Sequence, residues 1–196
     1  FFLSFMDRVV EIYDDFLSSK LFNKIVNDLS QLEIEDYHKI KSLLSWLPEE
    51  VLKEKKVIKY SEIISGIEFS NLSKEIRAHI AIKHGLNASD TQIHFDNRVY
   101  LNIVVPIFMR NLNSSGLIIF PFFSSLLLRP FLRFKFISKL IRNTQYLRNF
   151  LKIQNIDYKI NKGYFFKGNK FAHGVFYSPR SEDSLRAVLT INFKRF

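Results

Sequence analysis

The sequence predicts a mainly β fold with flanking helices, and three features of its texture predict it. From about residue 91 onward, short runs rich in β-branched and aromatic residues alternate with turn signals. Ahead of them lies a helical or mixed support, residues 1–90. One stretch among the strand-like runs, about residues 124–153, has helical periodicity and basic charge instead. Short strands in succession behind a helical leader suggest a β-sandwich or barrel braced by helices. At 196 residues the chain fits one domain, 1–196, with a core of ordinary size.

Taken in order, Val9-Val10-Glu11-Ile12-Tyr13 reads as a short strand and Asp14-Asp15 as a turn. Ser18 or Ser19 then caps a helix reaching about Leu32, with Leu21, Phe22, Ile25, Val26 and Leu29 on one stripe. Residues 37–56 read as helical or irregular, interrupted by Pro48. Residues 75–84 fit a helix or a strand, and the alternation of Ile76, Ala78, Ile80 and Ile82 favours the strand. Further strands are expected at 92–96, 99–108, 116–123, 158–166, 175–177 and 186–193. Turns are expected at Asn111-Leu112-Asn113-Ser114-Ser115-Gly116, Lys167-Gly168-Asn169 and Ser178-Pro179.

The composition, 47% hydrophobic and 24% charged, is that of a globular protein. There is no cysteine, which removes disulfides, thiolate metal sites and cysteine nucleophiles. The opening Phe1-Phe2-Leu3-Ser4-Phe5 before Met6 leaves two readings, a start at Met6 or a fragment, and it makes no secretory signal. The longest apolar run, residues 116–128, is broken by Pro121, Ser124 and Ser125. A membrane span needs roughly 20 apolar residues. The expectation is a soluble, cytoplasmic protein, or one at most peripheral to a membrane.

The net charge of +10 is concentrated in one part of the chain. Between Asp96 and Asp157 there are nine basic residues and no acidic one. Three readings of this basic stretch stand side by side: a helix packing its Phe and Leu face on the barrel, a surface for anionic membrane, or a field that steers an acidic substrate. Nucleic acid is the weaker partner, since no recognisable module accompanies the charge.

His94-Phe95-Asp96 is the first candidate for chemistry. On a strand, residues two apart share a face, so the imidazole and the carboxylate converge. Alone the motif means little, because a His-x-Asp arises by chance in roughly one such sequence in four. Near the C-terminus follow Gly168-Asn169-Lys170-Phe171-Ala172-His173-Gly174-Val175 and Arg186-Ala187-Val188-Leu189-Thr190-Ile191-Asn192-Phe193. The second histidine lies 77 positions after Asp96, and Arg186 begins a strand 13 positions after that. His38, His79 and His84 are expected to be structural or exposed, and no nucleophile elbow, P-loop or dinucleotide glycine motif is present.

In this order of motifs the chain resembles the Fe(II)/2-oxoglutarate-dependent dioxygenase superfamily, including its prolyl 4-hydroxylase-like and phytanoyl-CoA hydroxylase-like groups. Ile12-Tyr13-Asp14-Asp15-Phe16-Leu17-Ser18 resembles their N-terminal entry, and Tyr100-Leu101-Asn102 the strand after their iron motif. The resemblance implies a double-stranded β-helix, or jelly-roll, with N-terminal helices and a basic helical insertion. It implies Fe(II) held by His94, Asp96 and His173, the 2-His-1-carboxylate set that leaves positions open for co-substrate and O2. It implies 2-oxoglutarate anchored by Arg186 through paired hydrogen bonds. Tyr100 and Asn102 share a strand face, which fits two readings equally: contact with the co-substrate, or a core tyrosine and a strand-edge asparagine. Arg180, nearer His173, sits in a Ser-Pro-Arg-Ser turn and is expected to be solvated. The implied reaction couples conversion of 2-oxoglutarate and O2 into succinate and CO2 to hydroxylation of a C–H bond. Asp96 argues against a halogenase, in which a halide replaces that ligand.

Two other classes fit the same residues. A cupin-like metal enzyme would use no 2-oxoglutarate. A non-catalytic jelly-roll protein would bind, for example, a membrane through residues 117–152. The primary substrate is not readable from the sequence.

Overall fold

A computed structural model describes residues 9–31, 44–86, 93–132 and 135–194. Residues 37–43, which include His38, and Gln92 lie outside the described residues. Among the described residues, eight strands, β1 (Glu11–Tyr13), β2 (Ile76–His84), β3 (Val99–Arg110), β4 (Leu112–Ile119), β5 (Gln154–Asp157), β6 (Gly163–Phe166), β7 (His173–Pro179) and β8 (Leu185–Lys194), make two antiparallel sheets. The larger runs β1-β6-β3-β8-β2 and the smaller β5-β4-β7. Facing each other, they form the expected jelly-roll.

Strand alternation sorts the hydrophobic residues into three cores. On β3, Leu101, Ile103, Val105 and Ile107 face outward into the first core, while Val104 faces inward. The outward face is covered by α1 (Ser19–Ser30) and α2 (Leu47–Lys53) through Leu21, Ile25, Leu47 and Val51. The second core lies between the sheets and contains Val104, Leu117, Ile119, Tyr164, Phe166 and Val188. The third covers the far face of the smaller sheet, where Ile118 and Phe120 meet Leu128, Ile141 and Leu151.

The helices start and stop where local chemistry dictates. Ser18 caps α1, its hydroxyl accepting from the Leu21 amide at 3.4 Å. Pro48 does not interrupt a helix. It lies in the first turn of α2, where a missing N–H costs nothing. The next helix, α3 (Lys55–Ser65), ends on Gly66 at φ 72°, and α4 (Phe69–Leu72) and a 3-10 turn then lead into β2. In β2 the expected alternation holds, with Ile76, Ala78, Ile80 and Ile82 packed on the first core.

Several strand boundaries differ from the sequence reading. In the stretch read as a strand at 92–96, the described part pairs only through an isolated bridge, His94 to His173. The Asp96 amide bonds instead to the Gly168 carbonyl, which takes the chain off the ladder. The polar run 111–116 is not a loop. Asn111 alone takes the left-handed conformation (φ 52°), and β4 starts at Leu112. The stretch 158–166 is not one strand: β5 has already ended at Asp157, a loop turns at Asn161 (φ 55°), and only Gly163–Phe166 form β6. Ser178 and Pro179 finish β7 and do not form the turn that follows it.

The basic insertion is helical, as expected, but starts earlier than residue 124: β4 stops at Ile119, short of the strand expected over 116–123, and the helix begins at Phe122 with Pro121 at its N-cap. It consists of α5 (Phe122–Leu128), α6 (Lys135–Asn143) and α7 (Gln145–Phe150). No helix among the described residues is long and apolar enough to cross a membrane.

Candidate metal centre

The backbone bridge that replaces a full strand brings the two histidines together. The His94 amide donates to the His173 carbonyl at 2.9 Å and the His173 amide returns a bond at 3.0 Å. Their rings lie 4.5 Å apart between centroids. Two residues on, Asp96 reaches back to both: its Oδ1 lies 3.4 Å from His94 Nε2 and its Oδ2 3.2 Å from His173 Nε2. One ligand atom from each of the three residues falls within 4.8 Å of the others. Ligands about 2.1 Å from a metal, on adjacent octahedral positions, are about 3 Å apart, so the two Asp96–imidazole separations are near those around a first-row divalent ion.

Each donor is held in place by its surroundings. His173 is buried, its ring against Phe166 at 4.7 Å, and its Nδ1 donates to the Phe171 carbonyl at 3.0 Å. That bond turns Nε2 toward the point that Asp96 and His94 share. Asn102 donates from Nδ2 to Asp96 Oδ2 at 2.7 Å. Burial pushes the Asp96 carboxyl up, but hydrogen bonds from His173, His94 and Asn102 outweigh it and hold the group well below the usual carboxylate range. Asp96 is therefore an anion, the charge a divalent cation requires. His94 is the most exposed of the three and marks the open side.

Gly168 permits this arrangement. A Cβ there would sit 2.4 Å from Asn102 Nδ2 and 3.1 Å from Asp96 Cβ. The sequence marked Lys167-Gly168-Asn169 only as a turn. Its real constraint is the close approach of the Gly168 backbone to the carboxylate, which the Asp96 N–H to Gly168 carbonyl bond fixes at 3.1 Å.

Arg186 occupies the inward face of β8 near its start and is 3% exposed. Its Nη1 donates to Ser115 Oγ at 3.1 Å, and its guanidinium carbon lies 5.8 Å from the ring centres of both Tyr158 and Tyr177. Burial pushes both phenols up, so they remain neutral. A buried, oriented guanidinium on this strand has the chemistry to receive a carboxylate. Arg180 is exposed, as expected, its Nε on Asn113 Oδ1 at 2.8 Å.

Tyr100 is placed elsewhere. A bulge between Val99 and Leu101 turns it away from the face of Asn102. Its ring packs on the first core and its hydroxyl donates to the Ser65 carbonyl at 3.1 Å. So His94, Asp96, His173 and Asn102 come together, Arg186 lies inside the barrel, and Tyr100 faces the helices.

Each of the three converging residues also has a neighbour tied to the insertion. Ser138 Oγ accepts from the Ile93 amide at 2.9 Å, Ser125 Oγ from the Ala172 amide at 2.8 Å, and Arg129 Nη2 donates to Asn97 Oδ1 at 3.4 Å. These serines carried no sequence signal. They lie in an apolar, basic stretch and act through their hydroxyls alone.

No family model matches the chain, and no curated protein matches it. Solved structures do match. A prolyl-4-hydroxylase from Pseudomonas putida superposes with a TM-score of 0.56 at 14% identity, over 96% of this chain and 88% of that one. HygX from Streptomyces hygroscopicus, solved with iron bound, gives 0.60 at 8% identity over 100% and 86%. SnoN, a non-heme alpha ketoglutarate dependent epimerase from nogalamycin biosynthesis, gives 0.59 at 10% identity over 96% and 79%. The chain thus has the fold of the iron- and 2-oxoglutarate-dependent oxygenases.

Proposed function

We propose that the chain is a non-haem Fe(II)- and 2-oxoglutarate-dependent oxygenase that hydroxylates its substrate. One observation carries the reading: two imidazoles and a carboxylate, drawn from segments far apart in sequence, converge with ligand spacing at one end of a jelly-roll that also buries Arg186. His94, Asp96 and His173 would hold the metal, and Arg186 the distal carboxylate of 2-oxoglutarate. When bound, the iron with 2-oxoglutarate and O2 supplies the oxidising power for C–H functionalisation, and the co-substrate leaves as succinate and CO2.

The chain's own residues have distinct tasks in that reading. Asp96 contributes the one anionic ligand, and Asn102 fixes the direction of its Oδ2. The Phe171 carbonyl holds His173 in the tautomer that ligates. Phe166 covers one side of the His173 ring and keeps water from it. Arg186 would bind and orient the co-substrate through its carboxylate. The more exposed His94 side is where substrate enters.

The deciding experiment is an anaerobic titration of metal-free protein with Fe(II) plus 2-oxoglutarate, followed by the visible charge-transfer band of the chelated pair. A saturable band is expected, absent in His94→Ala and weakened in Arg186→Ala. Folded protein that gives no band would overturn the oxygenase reading. A band that forms equally well in Arg186→Ala would leave the metal and remove Arg186 from co-substrate binding. Mass analysis of the product separates hydroxylation, which adds one oxygen, from epimerisation, the activity named for SnoN.

A further inference from the structure

The outer face of the insertion has the wrong chemistry for a helix layer that meets only water. Its inner face is accounted for: Ser125 and Leu128 of α5, and Ile137, Ser138 and Ile141 of α6, pack toward the smaller sheet. A surface helix ordinarily pairs one such apolar stripe with a polar opposite side. Here the opposite side is apolar too. Phe123 is 82% exposed, Tyr146 77% and Phe150 66%, and Leu126, Leu127 and Leu140 are each at least half exposed. Of the fourteen large hydrophobic residues that stand exposed among the described residues, nine lie between Phe122 and Phe150.

The charge around them is of one sign. From Phe122 to Ile153 the sequence has seven basic residues and no acidic one. Lys139 and Lys152 are exposed on the same helical layer, and Arg129 stands exposed at the end of α5. Two copies meeting through this face would set like charges against each other. A nucleic acid would satisfy the charge but gives Leu126, Leu127 and Leu140 nothing to contact. Short helices lying flat, with aromatic and aliphatic side chains outward and Lys and Arg among them, match an anionic bilayer surface, which offers acyl chains to the first group and headgroups to the second.

We propose that the outer face of α5, α6 and α7, together with Lys152, seats the protein on a lipid bilayer carrying anionic headgroups. The seat adjoins the metal centre through the Ser138, Ser125 and Arg129 hydrogen bonds to the neighbours of His94, His173 and Asp96. Docking therefore holds the centre close to the membrane surface. The proposal does not depend on the oxygenase reading, because seating requires neither metal nor co-substrate.

The test is cosedimentation of the purified full chain with vesicles of phosphatidylcholine, with and without phosphatidylserine. Binding to the phosphatidylserine vesicles is expected, with partition at least about tenfold weaker on phosphatidylcholine alone and decreasing as salt is raised. Phe123→Ser with Leu127→Ser, and separately Lys139→Gln with Lys152→Gln, should each weaken partition by about tenfold or more. All four positions are exposed and none is a candidate metal ligand, and circular dichroism is the check that the variants fold. Folded protein that binds neither vesicle would overturn the proposal. So would binding that ignores headgroup charge or is unchanged in the Phe123/Leu127 variant. A dimer seen by light scattering that this variant dissolves, with no vesicle binding, would assign the face to a second copy.

Discussion

The Asp96 carboxylate sits among three donors, and only two of them are candidate metal ligands. The third, the Asn102 amide, spends its Nδ2 on Oδ2 at 2.7 Å, while its own Oδ1 is buried and accepts no hydrogen bond. An amide held this way orients the carboxylate. Removing such outer partners typically weakens metal binding by about 10–100-fold. Asn102→Ala is therefore expected to keep the fold and lose about that much Fe(II) affinity, measured by competition against a chelating dye. Full retention of affinity would show that Asp96 is oriented by its backbone alone. Arg186 calls for a conservative change. Arg186→Lys keeps the charge and loses the two-pronged geometry, so KM for 2-oxoglutarate should rise about ten- to hundredfold with kcat less affected. An unchanged KM would remove Arg186 from the co-substrate site. At this scale the sequence was most informative about residues whose spacing encodes a shared face, such as His94 and Asp96. It showed Gly168 only as part of a turn, because the real constraint is a contact with a residue 66 positions away.

Whole elements were legible by periodicity, and their edges were not. The β2 alternation and the α1 stripe depend on local burial, which a sequence displays directly. The bulge in β3 does not. It arises from pairing with β8, and it separates Tyr100 from Asn102 although both read as one strand face. The Asn-Leu-Asn-Ser-Ser-Gly run shows the same limit. Its small polar residues signal a turn, yet after Asn111 they lie in β4 against β7. Gly116 is small there because of its neighbours. A Cβ would meet the Ile156 carbonyl oxygen at 2.1 Å and the Phe176 ring at 2.6 Å. Gly116→Ala should therefore destabilise the chain by about 1–3 kcal/mol, the range for overpacking a filled interior, read from urea denaturation. A neutral result would mean that β5 can shift away from β4 without loss. Gly66→Ala, with open space around it but φ 72°, tests backbone conformation in place of packing and should cost less, about 1 kcal/mol.

For the molecule as a whole, the candidate metal centre is the place where two distant stretches of chain come together. His94 and Asp96 precede the insertion and His173 follows it, so an ion held by all three would close a loop that contains β3, β4, the insertion, β5 and β6. An unfolded chain has no such preformed site, so ion binding adds directly to folding stability. At about a hundredfold excess over Kd the gain is ~2.7 kcal/mol. At roughly 2–4 °C per kcal/mol for a chain of this length, the melting temperature should rise by about 5–10 °C on adding Fe(II) without oxygen. The same addition to His173→Ala should give little or no rise. The sign with pH follows from ligation by neutral imidazoles: protons compete with the metal, so the rise should shrink below about pH 6 and grow toward neutrality. Asp96 does not limit this range, because its carboxyl is held ionised well below it. A wild-type rise that persists undiminished in His173→Ala would place the stabilising ion elsewhere. It would also separate the fastening of the fold from the site read here as catalytic.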